Sequence, residues 1–218
     1  MNFLSYIFLI ILLVSSSAKA GYSASSRSYK FQIKTDSVKR GFSEIKFDSS
    51  GMQNRMAYAD TANFMHAKIY PCARCFLRPE VAEALEKAAV IAKEKGYTLV
   101  VYDCYRPYPF QQKMYDIVNN PKYVAPPGKG SNHNRGLAVD LSLADETGQL
   151  LDMGGAFDDF SKISHYAAKG ISRKSKKNRR QLRNIMVAAG FSAYNYEWWH
   201  FDYKKQPYET SSFIWECK

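Results

Sequence analysis

Two short segments carry the residue types that hydrolytic metal chemistry needs. Residues 131–140 read Ser-Asn-His-Asn-Arg-Gly-Leu-Ala-Val-Asp, and residues 197–200 read Glu-Trp-Trp-His. A catalytic zinc takes three protein ligands and keeps a fourth position open for water. His133, Asp140 and His200 offer two imidazoles and one carboxylate, and Glu197 stands three residues before the last ligand as a base for that water. A histidine alone in a loop is more often a surface or hydrogen-bonded residue. Here the combination carries the expectation of one zinc ion per chain and a hydrolytic reaction. Of the other histidines, His66 is expected at the surface and His165 in or beside a pocket.

The elements that must position these residues follow from periodicity. Residues 79–95 place Val81, Leu85, Ala88 and Ala92 on one face, with Pro79 at the start and Gly96 just beyond, which predicts a helix. Residues 97–103 are aromatic and β-branched and predict a central strand that delivers Arg106 near the site. A second helix is expected over 109–118, closed by Asn119, Asn120 and Pro121, with a loop to residue 132. Residues 137–143 alternate, so that Leu137, Val139, Leu141 and Leu143 share an apolar face and Ala138, Asp140 and Ser142 the opposite one. Asp140 is thus a carboxylate on a strand whose other face is core. A third helix is expected over 177–189, stopping at Gly190, and a last strand over 193–201.

That last strand raises a geometric demand. Glu197 and His200 are an odd number of residues apart, so a regular strand would point them to opposite faces. Serving one metal requires a bulge or turn between them. Residues 23–50 read as an irregular arm with one short strand. Together the elements predict an α+β fold: one small domain whose antiparallel or mixed sheet is flanked by helices and carries the metal site.

The first twenty residues read as a secretion signal. Residues 3–14 are almost wholly apolar and lead to Ala18 and Ala20 as small residues before a cleavage point, although no Lys or Arg precedes the apolar run. The run is short for a bilayer span, and residue 21 is Gly, which excludes a lipid-anchored cysteine there. The expectation is an exported protein, periplasmic or secreted, with residues 1–20 as signal peptide and 21–218 as one domain without stable membrane insertion. Four cysteines, Cys72, Cys75, Cys104 and Cys217, allow three pairings that sequence does not rank. Cys72 and Cys75 form a C-x-x-C with no second pair to complete a zinc ribbon, so a structural or partly reduced role is preferred for the set.

The chain has a formal net charge of +11, and between 169 and 183 eight Lys and Arg occur without one acidic residue. A solvated helix face is the simpler reading of that run; attraction to an anionic wall polymer is the functional one. Nucleic acid is not expected as a partner, because no nucleic-acid module accompanies the charge.

The motifs also carry a resemblance. Tyr102-Asp103-Cys104-Tyr105-Arg106-Pro107, the Ser131 to Leu141 segment, Met153-Gly154-x-x-Phe157-Asp158 and Glu197-Trp198-Trp199-His200 resemble, in the same order, the VanX-type D-alanyl-D-alanine dipeptidases. The likeness runs from about residue 59 to 208. It implies zinc held by His133, Asp140 and His200, Glu197 as general base, and Arg106 as the arginine that stabilises the tetrahedral intermediate. It further implies that Asp158 holds the substrate's free ammonium and that Ser131 helps bind the dipeptide. Two positions depart from the family pattern: Cys104 stands where some relatives carry Gly, and Tyr166 where relatives often carry a second histidine beside the first.

The expected activity is hydrolysis of D-Ala-D-Ala to two D-Ala in cell-wall peptide turnover. A D,D-carboxypeptidase or endopeptidase acting on peptidoglycan stems is the alternative within the same chemistry, and a non-catalytic wall-binding module is the alternative outside it. The presence of both Glu197 and Arg106 argues against the last.

Overall fold

The computed structural model describes residues 41–128, 130–203 and 208–217. The signal-peptide reading of residues 1–20 and most of the expected arm lie outside the described residues. Within them, a five-stranded mixed sheet has the order β2 (Gln53–Asn54), β4 (Thr98–Asp103), β5 (Ala138–Ala144), β7 (His200–Asp202), β6 (Ser192–Ala193). β2 runs parallel to β4 and all other neighbours are antiparallel. A second, two-stranded sheet pairs β1 (Ser43–Ile45) with β3 (Cys75–Leu77). The α+β expectation holds, with one correction. The middle strand is β5, and β4, expected at the centre, is the interior strand beside it.

Helices α2 (Pro79–Glu94) and α4 (Arg173–Ala189) pack against each other and onto β4 and β5. In α2, Pro79 opens the helix where a missing N–H costs nothing, and Val81, Leu85, Ala88 and Ala92 are fully buried. α4 starts four residues earlier than its apolar spacing suggests. Ser172 caps it by accepting from the Ser175 N–H at 2.9 Å, a local signal that precedes the first apolar residue of the helix. α1 (Phe47–Ser50) is one turn, and α3 (Tyr108–Val118) follows the arginine motif and ends at Asn119 with φ 45°. None of the helices among the described residues is long and apolar enough to cross a membrane.

All seven residues of β5 are buried, because the helices cover one face and the loop after β5 covers the other. There Phe157 stacks on Tyr102 with ring centres 4.6 Å apart. The expected last strand over 193–201 is broken. The backbone leaves the sheet after Ala193, turns through residues 194–199, and rejoins it at His200. That is the departure from regular pleating that Glu197 and His200 required.

Both disulfides join distant segments: Cys72 pairs with Cys217 and Cys75 with Cys104, so the C-x-x-C does not close on itself and no described cysteine is reduced. The first fastens a carboxy-terminal strap. Trp215 fills a cluster with Tyr70, Phe76 and Phe110, and Ser211 accepts from the Tyr108 N–H at 2.9 Å and donates to the Asn134 carbonyl at 2.8 Å. The strap therefore braces the loops that carry Arg106 and His133. Replacing Cys72 and Cys217 by Ser opens a link spanning 145 residues of sequence. It is expected to remove about 2–4 kcal/mol of stability, read as a lower denaturant midpoint under oxidising conditions.

Candidate metal centre and active site

The site lies at one end of the sheet, where strand register sets side chains abreast. Asp103 at the end of β4 is opposite Asp140 on β5, and Asp140 is opposite His200 at the start of β7. Directly opposed residues bring their Cβ atoms within about 5 Å, so three polar side chains form a row on a sheet otherwise made of core. His133 reaches the same point from a short 3-10 turn before β5, which closes at Gly136 with φ 73°. A Cβ at Gly136 would meet the Phe42 ring at 2.6 Å and the Arg78 nitrogen at 3.2 Å, so glycine is required for the turn to close there.

Ligand atoms converge. His133 Nε2 is 3.4 Å from Asp140 Oδ2 and 3.2 Å from His200 Nδ1, which is 2.9 Å from Asp140 Oδ1. Tetrahedral ligands on a zinc at about 2.0–2.1 Å are separated by about 3.3 Å, so the triangle has the size the ion needs. The outer nitrogens are engaged. His133 Nδ1 lies 2.7 Å from the Cys104 carbonyl and His200 Nε2 3.0 Å from Asp202 Oδ1. Each neutral ring must then donate outward, which leaves two nitrogen lone pairs and a carboxylate facing one another. Only a cation makes that arrangement favourable. The same demand appears in the titration of His200: burial opposes its charge, but hydrogen bonds to Asp140 and Asp202 hold its imidazolium up to about 10.

Around this triangle a cavity of about 130 Å³ is lined by every residue expected from the sequence to bind metal or substrate or to catalyse: Ser131, His133, Asp140, Asp158, Glu197 and His200, with Arg106 on its wall. Glu197 Oε2 is 3.9 Å from His200 Nδ1, and burial raises its carboxyl above the usual range. Arg106 is buried and gripped. Its guanidinium donates to Asp103 Oδ2 at 2.5 and 3.2 Å and to Gln111 Oε1 at 3.0 Å. Arg106 thus pairs with Asp103 and at the same time stands at the cavity wall. Asp158 adopts φ 61°, an uncommon conformation for a residue with a side chain, and accepts from the Tyr58 hydroxyl at 3.0 Å. Burial, then the Asp140 charge, pushes its carboxyl well above the ordinary value. Ser131 Oγ accepts from the His133 N–H at 3.2 Å. Trp199 is buried and lines the cavity, His66 is exposed, and His165 lies outside the cavity in a separate groove.

Several participants escaped the sequence reading. Asp202 holds the His200 ring and accepts from Asn132 Nδ2 at 2.8 Å. It stands two residues after His200 on one strand, so period-two alternation was an available signal. Asp103, beyond its pairing with Arg106, gathers the Tyr70 hydroxyl at 2.7 Å and the Cys104 N–H at 2.9 Å. Tyr58 lies a hundred residues from Asp158, and nothing in its local sequence marks it.

A family model described as D-ala-D-ala dipeptidase (Peptidase_M15) matches residues 40–216. The chain belongs to that family. As a member of this dipeptidase family it is a peptidase, and the matched span contains every residue of the cavity. The D-alanyl-D-alanine dipeptidase of Escherichia coli K12 is 39% identical over 151 residues, covering 69% of this chain and 78% of the relative. That of Enterococcus faecium is 36% identical over 202 residues, covering 82% and 98%. Among solved structures, the vancomycin-resistance D,D-pentapeptidase VanY in complex with Zn(II) aligns with a TM-score of 0.39 at 20% identity, covering 59% of this chain and 73% of that one.

Proposed function

We propose that the chain is a zinc-dependent D-alanyl-D-alanine dipeptidase that acts outside the cytoplasm. The observation that carries the reading is the convergence of His133, Asp140 and His200 within 2.9–3.4 Å beside Glu197 and Arg106. The substrate is the one named for the family and for the relatives above. Zinc held by the three ligands would supply a Lewis acid for the scissile carbonyl and a water made acidic enough to attack near neutral pH.

The chain's own groups complete the reaction. Glu197, whose carboxyl burial raises above its usual range, takes the proton of the attacking water and delivers it to the leaving amine. Arg106, fixed by Asp103 and Gln111, presents a permanent charge to the developing oxyanion without reorganising. Asp158, held by Tyr58, receives the substrate ammonium, and Ser131 contributes a hydroxyl. A cavity of about 130 Å³ is far below the 300–1,000 Å³ usual for drug-sized ligands and favours a very small substrate.

Export is supported by the apolar run at residues 3–14 with its small residues at 18 and 20 and by two disulfides, which persist in oxidising compartments. The basic run at 169–183 supports an anionic wall polymer as a second partner, although one member of it, Arg179, is buried and serves the fold.

The test is alanine release by the zinc-loaded chain from D-Ala-D-Ala, L-Ala-L-Ala and a pentapeptide stem ending in D-Ala-D-Ala. Release from the D,D-dipeptide alone is expected. Release from the stem moves the chain to the carboxypeptidase reading, and no turnover with zinc bound removes the enzymatic one.

Two further results are expected. Asp202→Asn should weaken zinc about 10–100-fold in chelator competition, because the ring it orients is left without its carboxylate. Asp158→Ala should raise KM more than it lowers kcat. Since Asp158 binds the ammonium only as carboxylate and its pKa is raised, wild-type KM should climb as pH falls through that raised pKa, starting above the ordinary carboxylate range. In Asp158→Ala the climb should be absent; a persisting climb would assign it to another group.

A further inference from the structure

A second concavity opens on the Glu197 side of the site, and the dipeptide reaction has no use for it. It is a groove of about 920 Å³, several times the reacting cavity, walled by residues 161–163 and 165–169 and by Asn195 and Tyr196. Lys162, Lys169 and His165 contribute cationic or donor groups, Tyr166 and Tyr196 contribute rings, and no Asp or Glu lines it. Tyr196 is 60% exposed and Tyr194 44%, and two large rings left adjacent in water are the kind of feature that marks an interaction surface.

These rings are ordered into a row. His165 meets Tyr196 edge-on at 5.1 Å, Tyr196 meets Tyr194 at 5.4 Å, and Tyr194 meets the His200 ring at 5.8 Å, so the row runs from the groove to the metal centre. Arg183 lies over the Tyr166 ring at 4.3 Å and donates to Asn195 Oδ1 at 3.3 Å. Exposed Arg180 and Lys176 share its side of α4, one and two turns back respectively.

The walls are rigid before anything binds. Arg179, 1% exposed, donates to the carbonyls of Met153 at 2.6 Å, His165 at 2.7 Å and Ile163 at 2.9 Å. Tyr166 N–H donates to Asn195 O at 2.9 Å and Trp198 N–H to Ser164 O at 3.0 Å, which ties the two walls together next to Glu197. A groove already fixed loses little entropy when occupied.

We propose that this groove binds a strand of acidic polysaccharide, with sugar faces against Tyr196 and Tyr194 and carboxylates paired to Lys162, Lys169 and Arg183. Aromatic faces and cations gathered at one groove match a polymer that carries both charges and apolar ring faces. Duplex nucleic acid, with one charge per about 1.7 Å, is held by many phosphate contacts at once, and two lining lysines and one arginine supply few. Such binding would hold the enzyme at the surface of an acidic polymer.

The experiment measures binding of the zinc-loaded, disulfide-intact chain to polygalacturonate, neutral dextran and double-stranded DNA over a range of salt, with D-Ala-D-Ala hydrolysis followed in the same samples. Polygalacturonate is expected to bind most tightly and dextran not at all. Tyr196→Ala should weaken polygalacturonate binding roughly tenfold, the scale of one lost ring contact, with its salt dependence unchanged. The double variant Lys162→Ala, Lys169→Ala should flatten the salt dependence, and hydrolysis should be unaltered in both variants. DNA binding as tight as polygalacturonate, no effect of Tyr196→Ala, or binding to neither polymer would overturn the proposal. Polymer binding without dipeptide turnover would sink the enzymatic reading alone and leave the groove standing.

Discussion

Glu197→Gln is expected to lower kcat about 10²–10⁴-fold while zinc content and dipeptide affinity stay near wild type. The separation follows from geometry. Glu197 belongs to the turn before β7, and its carboxylate is 3.9 Å from His200 Nδ1, outside the 2.9–3.4 Å triangle of ligand atoms. The turn itself is held by backbone contacts, Trp198 N–H to Ser164 O and Tyr166 N–H to Asn195 O, which the side chain does not enter. Glutamine preserves shape and removes the basic oxygen, so the loss should fall on the proton-transfer step. His200→Ala is the control, because it deletes a corner of the triangle and should lose zinc and activity together. Metal analysis by mass spectrometry beside steady-state kinetics reads both. Equal zinc loss in the two variants would make Glu197 a ligand or a structural residue, and its role as base would fall.

Much of this site was legible in the sequence because its parts sit on locally periodic elements. The alternation at 137–143 exposed Asp140 as a polar intruder, and the odd step from Glu197 to His200 demanded the turn that occupies residues 194–199. The α2 and β4 predictions came within one residue at each end, since Pro79, Gly96 and the β-branched run are local signals. What stayed hidden is long-range. The disulfide partners Cys72 and Cys217 are 145 residues apart, and Tyr58 meets Asp158 only after the loop following β5 folds over the sheet. Arg179 shows the limit of reading charge alone. Within a run expected to face water it is fully buried, because the carbonyls of Met153, Ile163 and His165 converge on its guanidinium and accept from three of its donors. The strand expected over 193–201 failed for the same kind of reason. Its β-rich composition reflects Trp198 and Trp199 packing into the core, while the backbone between the two short strands serves the site.

Arg106 should show two separable effects, one on folding and one on chemistry. Its guanidinium is buried against Asp103, which is fully buried itself, and although burial opposes the charge, the Asp103 carboxylate holds it well above the usual arginine value. Arg106→Met would strand that carboxylate, and breaking a buried pair from one side costs about 3–5 kcal/mol. The chemical effect is the loss of a preorganised charge at the oxyanion, about 2.7–4 kcal/mol in the barrier, or 10²–10³-fold in kcat. A double variant divides them. Asp103→Asn keeps an oxygen to accept from the Tyr70 hydroxyl and the Cys104 N–H, so Asp103→Asn combined with Arg106→Met should recover most of the lost melting temperature. Activity should remain at the level of Arg106→Met, because nothing in the pair replaces the positive charge at the cavity wall. Arg106→Lys should fall between, keeping charge but not the forked grip on Asp103 and Gln111. If activity returned in step with stability in the double variant, Arg106 would be a brace for Asp103 and the His133 loop, and the oxyanion would have to find its stabilisation elsewhere in the cavity.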